Sequence, residues 1–408
     1  MTSSTSSSRR PFAKTLVVGL VVMGIAVVLI RLFAMAFDAS AETIITRVME
    51  ARQELPRIAK EDEDIVIAFG SSMTDAGFSA RQFDRQMLER GVDVKSFNFG
   101  FGGLNPYFQD YLARRMREAF DAEGKRLKLA MIEFTPLQNT KARYNGAVPT
   151  IDSYVSMLAS DAEILDLIKE DPTRGTRVAT IRYLRDDISA EMVTFFFGRQ
   201  MFGASRPRSD IPVDEEAQKA LEEIGPKLTE AFEKEYPDFD GKDWRYEWQG
   251  AGTIPEERAP ETVATFIPYY EALRNEKRMT EDRMQRNSCC DYENLDFEEE
   301  LLSAFVRIVK TFQAFSDEVE VILMPVNEDW VNRPADAEQR LADVLDRIQQ
   351  ETGVTIRNFE RAPEITPEMF SDTTHLGRYI GDVPFTEMLV NTYAPKLGGS
   401  AAPQPDVQ

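Results

Sequence analysis

With 408 residues, 43% of them hydrophobic and 29% charged, the chain has the make-up of a folded protein with room for one large domain carrying insertions, or for two domains. Its formal net charge of −21 repels phosphate backbones and argues against nucleic acid as a partner. One histidine, His375, and two neighbouring cysteines, Cys289 and Cys290, offer no thiolate or imidazole set for zinc. No carboxylate spacing suggests another metal, and bridging adjacent cysteines strains the backbone, which makes them a poor staple.

Residues 1–14 are polar and basic, with Arg9, Arg10 and Lys14. Residues 15–37 are apolar apart from Arg31, about the length of a bilayer-spanning helix, with an arginine able to snorkel to the headgroups. Basic residues ahead of the span predict a cytoplasmic N-terminus and an exported remainder, in the periplasm or at the cell surface. A cleaved signal peptide ending at Ala39-Ser40-Ala41 is the competing reading; the apolar run exceeds an ordinary signal core and favours the uncleaved anchor. Residues 38–62 read as a helical stalk.

Short strands and helices then alternate. Strands are expected at 65–69, 94–99 and 127–134, and helices at 80–90 (N-cap Ser79, stop Gly91) and 107–120. The alternation resumes with a helix at 297–315, strands at 319–325 and 354–358, and helices at 335–352 and 383–393. This β-α-β rhythm predicts an α/β fold: a three-layer α/β/α sandwich on a parallel sheet, built from residues 63–140 and 296–396. Between them, 141–295 reads as one large, mostly helical insertion, with helices expected at 162–169, 190–197, 215–236 and 261–286. It either caps or flanks the site, or is an independent helical domain or a scaffold for a partner. Residues 397–408, rich in Gly, Ala and Pro, read as a disordered tail.

Three features at strand ends carry chemistry. Gly70-Ser71-Ser72 follows the first strand, at the sheet edge where α/β proteins bind ligands. Asp372-Thr373-Thr374-His375 follows the fifth strand. A tight turn there brings the Asp372 carboxylate to one ring nitrogen of His375 and leaves the other free to take a proton from serine. Asn98-Phe99-Gly100-Phe101-Gly102-Gly103 ends the second strand, and its glycines let a backbone N–H approach a reacting centre.

In this order these motifs resemble the SGNH (GDSL-type) hydrolase family. Gly70-Ser71-Ser72-Met73 is similar to the family's first block, with Ser72 at the nucleophile position and Ser71 in place of the usual aspartate. Asn98-x-Gly100-x-x-Gly103 resembles the second block and Asp372-x-x-His375 the last. The third block, Gly-x-Asn-Asp, is not recognisable; its place reads Glu133-Phe134-Thr135-Pro136-Leu137-Gln138-Asn139.

The resemblance implies a Ser72–His375–Asp372 triad, with an oxyanion held by Ser72, Gly103 and Asn139 and a supporting loop of Gly70, Ser71, Asn98 and Gly100. It implies no cofactor. With the N-terminal anchor, the chain is most similar to the exported, membrane-tethered branch that modifies cell-envelope polymers. An esterase or O-acyltransferase acting on an acyl-ester polysaccharide is expected, beside a membrane-bound O-acyltransferase as partner. The alternative is a catalytically silent module that binds glycan or scaffolds an envelope acylation complex.

Overall fold

A computed structural model describes residues 9–34, 44–147, 151–185 and 274–400, with isolated positions between 219 and 271. The chain divides into two compact units: Met1–Thr46 with Pro149–Ser205, and Arg47–Val148 with Arg206–Gln408.

The first unit holds α1 (Arg9–Ala34) and the later helices α7 (Ile151–Leu158), α8 (Asp161–Glu170) and α9 (Pro172–Arg185). A capping box starts α8: the Ser160 hydroxyl accepts from Glu163 N–H, and the Glu163 carboxylate accepts from Ser160 N–H. Arg174 of α9 pairs with Asp152 of α7 at 2.8 Å. The expected 162–169 helix is α8; those at 190–197 and 215–236, and residues 243–249 apart from Trp248 and Gln249, lie outside the described residues or reach only isolated ones. The backbone of α1 runs for 26 residues. Among the described residues, no helix is long and apolar enough to cross a membrane.

The second unit is an α/β fold. Five parallel strands, β1 (Asp64–Ser71), β2 (Val94–Phe101), β3 (Leu127–Glu133), β4 (Ser316–Leu323) and β5 (Thr355–Asn358), pair in the order β2-β1-β3-β4-β5. Alternate residues face opposite layers. Val66, Ala68, Leu129 and Met131 join a core with Phe83 of α4 (Ala80–Glu89) and with Phe385 and Leu389 of α13 (Asp382–Tyr393). On the other face lie α5 (Pro106–Glu123) and α11 (Glu299–Phe315), bound by aromatic pairs: Phe69 with Phe312 at 5.0 Å, and Phe134 with Phe305 at 4.9 Å. The strands read as near-continuous apolar runs because helices cover both faces. α12 (Ala335–Thr352) ends on Gly353 at φ 68, as its sequence predicts.

Several expectations change. α2 (Ile44–Ile58) begins within the stretch read as a stalk, but Val48, Ala51, Leu55 and Ile58 are buried in the second unit. Ser79 holds the N-cap position of α4, yet its side chain makes no cap bond. The insertion does not form one body: α6 (Lys141–Ala147) and α10 (Glu276–Cys290) belong to the second unit, whereas 149–205 does not. The tail is held as far as Ser400, with Gly399 N–H donating to Ala394 and Ser400 N–H to Arg90; 401–408 lie outside the described residues. Cys289 and Cys290 are bridged to each other. So short a loop constrains the unfolded chain little.

Candidate active site

The site starts where β1 becomes α3 (Ser72–Gly77). β1 lies at the order reversal of the sheet, between β2 and β3, where the loops of an open α/β sheet diverge and leave a crevice. Ser71 caps α3, its Oγ accepting from Met73 N–H at 3.1 Å. Ser72 opens the helix, so its own N–H has no intrahelical acceptor. Ser71 is 2% exposed, whereas Ser72 is half-buried. Gly100 is required opposite: a Cβ there would strike the backbone of Asp75. Asn98 ties the end of β2 to the same helix. Its Nδ2 donates to Phe78 and Thr74 carbonyls at 2.8 and 3.1 Å, and its Oδ1 accepts from Gly100 N–H at 2.9 Å.

His375 reaches Ser72 from the far end of the chain. Ser71's neighbour donates its hydroxyl to the ring: Ser72 Oγ stands 2.7 Å from His375 Nε2, and His375 Nδ1 stands 2.7 Å from Asp372 Oδ2. The Asp-x-x-His turn is closed by Ser371 N–H donating to His375 O at 2.8 Å. Asp372 Oδ1 also accepts from the backbone N–H groups of Thr374 and His375, both at 2.8 Å. The carboxylate thus fixes the ring as the Nδ1–H tautomer, leaving Nε2 as the acceptor. Asp372 and His375 are 6% and 4% exposed, so little water competes for these bonds.

The expected oxyanion residues divide. Gly103 takes φ +74, the left-handed region that favours glycine. Among the described residues nothing accepts its N–H, and its carbonyl accepts from Arg143. Asn139 ends a 3-10 turn, Pro136–Asn139, that bends its amide back: Nδ2 donates to Thr135 O at 2.9 Å. Its Oδ1 is buried with no partner among the described residues. The turn, rather than the spacing from β3, decides where this amide points.

Residues not singled out from sequence complete the site. Glu133, at the end of β3, accepts from Ser71 N–H and Thr74 N–H, both at 2.9 Å, from Ser71 Oγ at 2.6 Å, and from the Thr74 and Thr135 hydroxyls. Full burial pushes its carboxyl above the ordinary value, against the downward pull of those donors. Gln109 Nε2 donates to Gly70 O at 3.1 Å. On α10, Arg286 approaches Asp372 Oδ2 at 3.2 Å and pairs with Asp282 at 2.8 Å. Burial opposes the Arg286 charge, and Asp372 and Asp282 more than offset it, raising the guanidinium's pKa above its usual value. The only advance sign of this helix's role was an i, i+4 charge spacing.

Among the described residues, no cluster of His, Cys, Asp and Glu forms a metal-binding group. A half-exposed hydroxyl on an imidazole, itself held by a buried carboxylate, is equipped for nucleophilic attack at an acyl carbon. No protein-family model matches the chain, and no curated protein matches it.

Proposed function

We propose that the chain is an SGNH-like serine esterase or O-acyltransferase acting on acyl esters of a cell-envelope or secreted polysaccharide. The observation carrying this reading is the unbroken line Ser72 Oγ, His375 Nε2, His375 Nδ1, Asp372 Oδ2, with both contacts at 2.7 Å. Ser72 Oγ attacks the acyl carbon as His375 Nε2 takes its proton. Backbone N–H groups of Ser72 and Gly103 receive the oxyanion, each donor worth roughly 2.7–4 kcal/mol of barrier. The departing alkoxide takes the proton back from Nε2. Water or a sugar hydroxyl, deprotonated by His375, then attacks the acyl-serine, and the outcome is hydrolysis or transfer.

The site is proposed to work outside the cytoplasm, with α1 as its membrane anchor. Support comes from the sequence: the apolar run 15–37 and the basic residues ahead of it. A transferase so placed needs an acyl donor from across the membrane, which a membrane-bound O-acyltransferase partner would supply. Retention of the chain in alkali-washed membranes tests the anchor, and co-purification in mild detergent tests the partner.

The central test uses the full-length chain in detergent. It should hydrolyse p-nitrophenyl acetate and take a fluorophosphonate label on Ser72; Ser72→Ala should do neither. An unlabelled parent, or a Ser72→Ala variant that still turns over, overturns the reading. A second reading, binding of glycan without turnover, is favoured by Asn139, whose amide is committed to Thr135 O. Glycan affinity that survives Ser72→Ala and His375→Ala, with no label on the parent, would support it.

A further inference from the structure

The turn bearing Asp372 and His375 is held along its length by one face of one helix. Arg278, Asp282 and Arg286 recur at i, i+4 and i+8 along α10, so their side chains share a face. Arg278 Nη1 donates to Ser371 O at 3.4 Å. Asp282 Oδ2 accepts from Thr373 N–H at 3.2 Å and from the Thr373 hydroxyl. Arg286 Nη2 reaches Asp372 Oδ2 at 3.2 Å and comes within 3.4 Å of His375 Nδ1. The last approach is between two donors, because Nδ1–H is already given to Asp372; the shared carboxylate oxygen holds them together.

We infer that Arg286 and Asp282 are positioning residues that set the proton affinity of His375. The inference rests on the triad reading above. Asp282, Arg286 and Asp372 together carry one negative charge in a buried cluster. An imidazolium at His375 brings it to neutrality, the favourable state for buried charges. Arg286 by itself opposes the imidazolium, and Asp282 offsets Arg286. The two therefore push His375 in opposite directions, which a merely structural pair would not. The other charged or titratable groups near the cluster are Arg278 on the same helix, Tyr292 beyond its end, and the Arg333–Glu360 pair that acts on Tyr292.

His375 is the sole histidine, so its ring signals need no assignment in a chain purified without a histidine tag. The full-length protein in detergent micelles is titrated by NMR as parent, Arg286→Met, Arg286→Lys and Asp282→Asn, with thermal unfolding as the fold control. Removing the Arg286 charge should raise the His375 midpoint by about 1 pH unit, and Asp282→Asn should lower it by about as much. Arg286→Lys should lie between parent and Arg286→Met. The acid limb of the pH–rate profile should move the same way in each variant. Midpoints that stay within about 0.3 pH unit of the parent, or that move in one direction in both charge-removal variants, overturn the inference. If Arg286→Met does not fold, the isosteric Asp282→Asn decides alone; if neither folds, the residues are structural braces and the inference falls. Fluorophosphonate labelling of the parent is read in parallel. Its absence sinks the serine-enzyme reading and leaves the titration result standing.

Discussion

Ser71 and Glu133 meet twice: the serine hydroxyl donates to Oε1 at 2.6 Å, and its backbone N–H donates to Oε2 at 2.9 Å. Where the resemblance to SGNH hydrolases leads one to expect an aspartate beside the nucleophile, this chain has a serine, and the carboxylate comes from the neighbouring strand. Glu133→Gln replaces an acceptor with a donor among five donors. It should cost roughly 1.5–3 kcal/mol of stability and about 100-fold in acylation rate through a displaced Ser72. Thermal unfolding and the rate of fluorophosphonate labelling measure the two.

Ser71→Asp should be worse, since it sets two buried carboxylates side by side. Adding Glu133→Gln to Ser71→Asp should recover part of the loss. A double-mutant cycle with no coupling between these positions would contradict direct contact.

Gly100→Ala forces a methyl against the backbone of Asp75, where no side-chain rotation can relieve it. Overpacking of this kind costs typically 1–3 kcal/mol. It also pushes α3 away from β2, so labelling should slow along with the loss of stability. Urea unfolding, with the labelling rate of the remaining folded protein, checks both.

Arg47 lies in α2, yet it donates to the carbonyls of Gly100 at 3.1 Å and Asn98 at 3.2 Å, and its guanidinium stacks 4.5 Å over Trp248. Arg47→Ala strands two carbonyls and removes a cation–π contact, at a cost of about 2 kcal/mol. A denaturant midpoint unchanged from the parent would mean that the Arg47 contacts contribute nothing to the second unit's stability.

Asp382 is buried at the start of α13, accepting from Tyr379 N–H at 2.6 Å while Tyr379 holds φ +64. Burial pushes its carboxyl from 3.8 up to about 7, against the pull of Arg378 and nearby backbone N–H groups. Because the folded value is the higher, its stabilising contribution is complete below pH 3.8 and is lost as pH rises through about 7. Asp382→Asn keeps an acceptor and cannot ionise. It should leave stability unchanged near pH 4 and raise it at pH 8, by on the order of 4 kcal/mol at most. Melting curves at the two pH values decide.

The strands were legible because helix-covered parallel strands are apolar runs with sharp ends, as in 127–134 against the observed Leu127–Glu133. The Asp372–His375 pairing was legible because it is local, three residues apart. Glu133 was not, since a single acid at a strand end looks like the strand's termination, and its partners Ser71 and Thr74 lie 62 and 59 residues away. Arg278, Asp282 and Arg286 were not legible either, because charges at helical spacing usually mark a solvated face and their contacts are with a turn about 90 residues later. Asn139 came late after its strand for the expected donor, and a 3-10 turn points its amide to Thr135 O.

Ser72 and His375 stand 303 positions apart in the chain. At ribosomal speeds of 5–20 residues per second, the serine emerges about 15–60 s before its base is made. The adjoining strands β2, β1 and β3 are synthesised first, and β4 and β5 join later beside β3. On the proposed reading, a nascent chain that stops short of the Asp372–His375 turn displays the Ser72 hydroxyl without its imidazole acceptor, and the two meet only once that turn has been made and has closed.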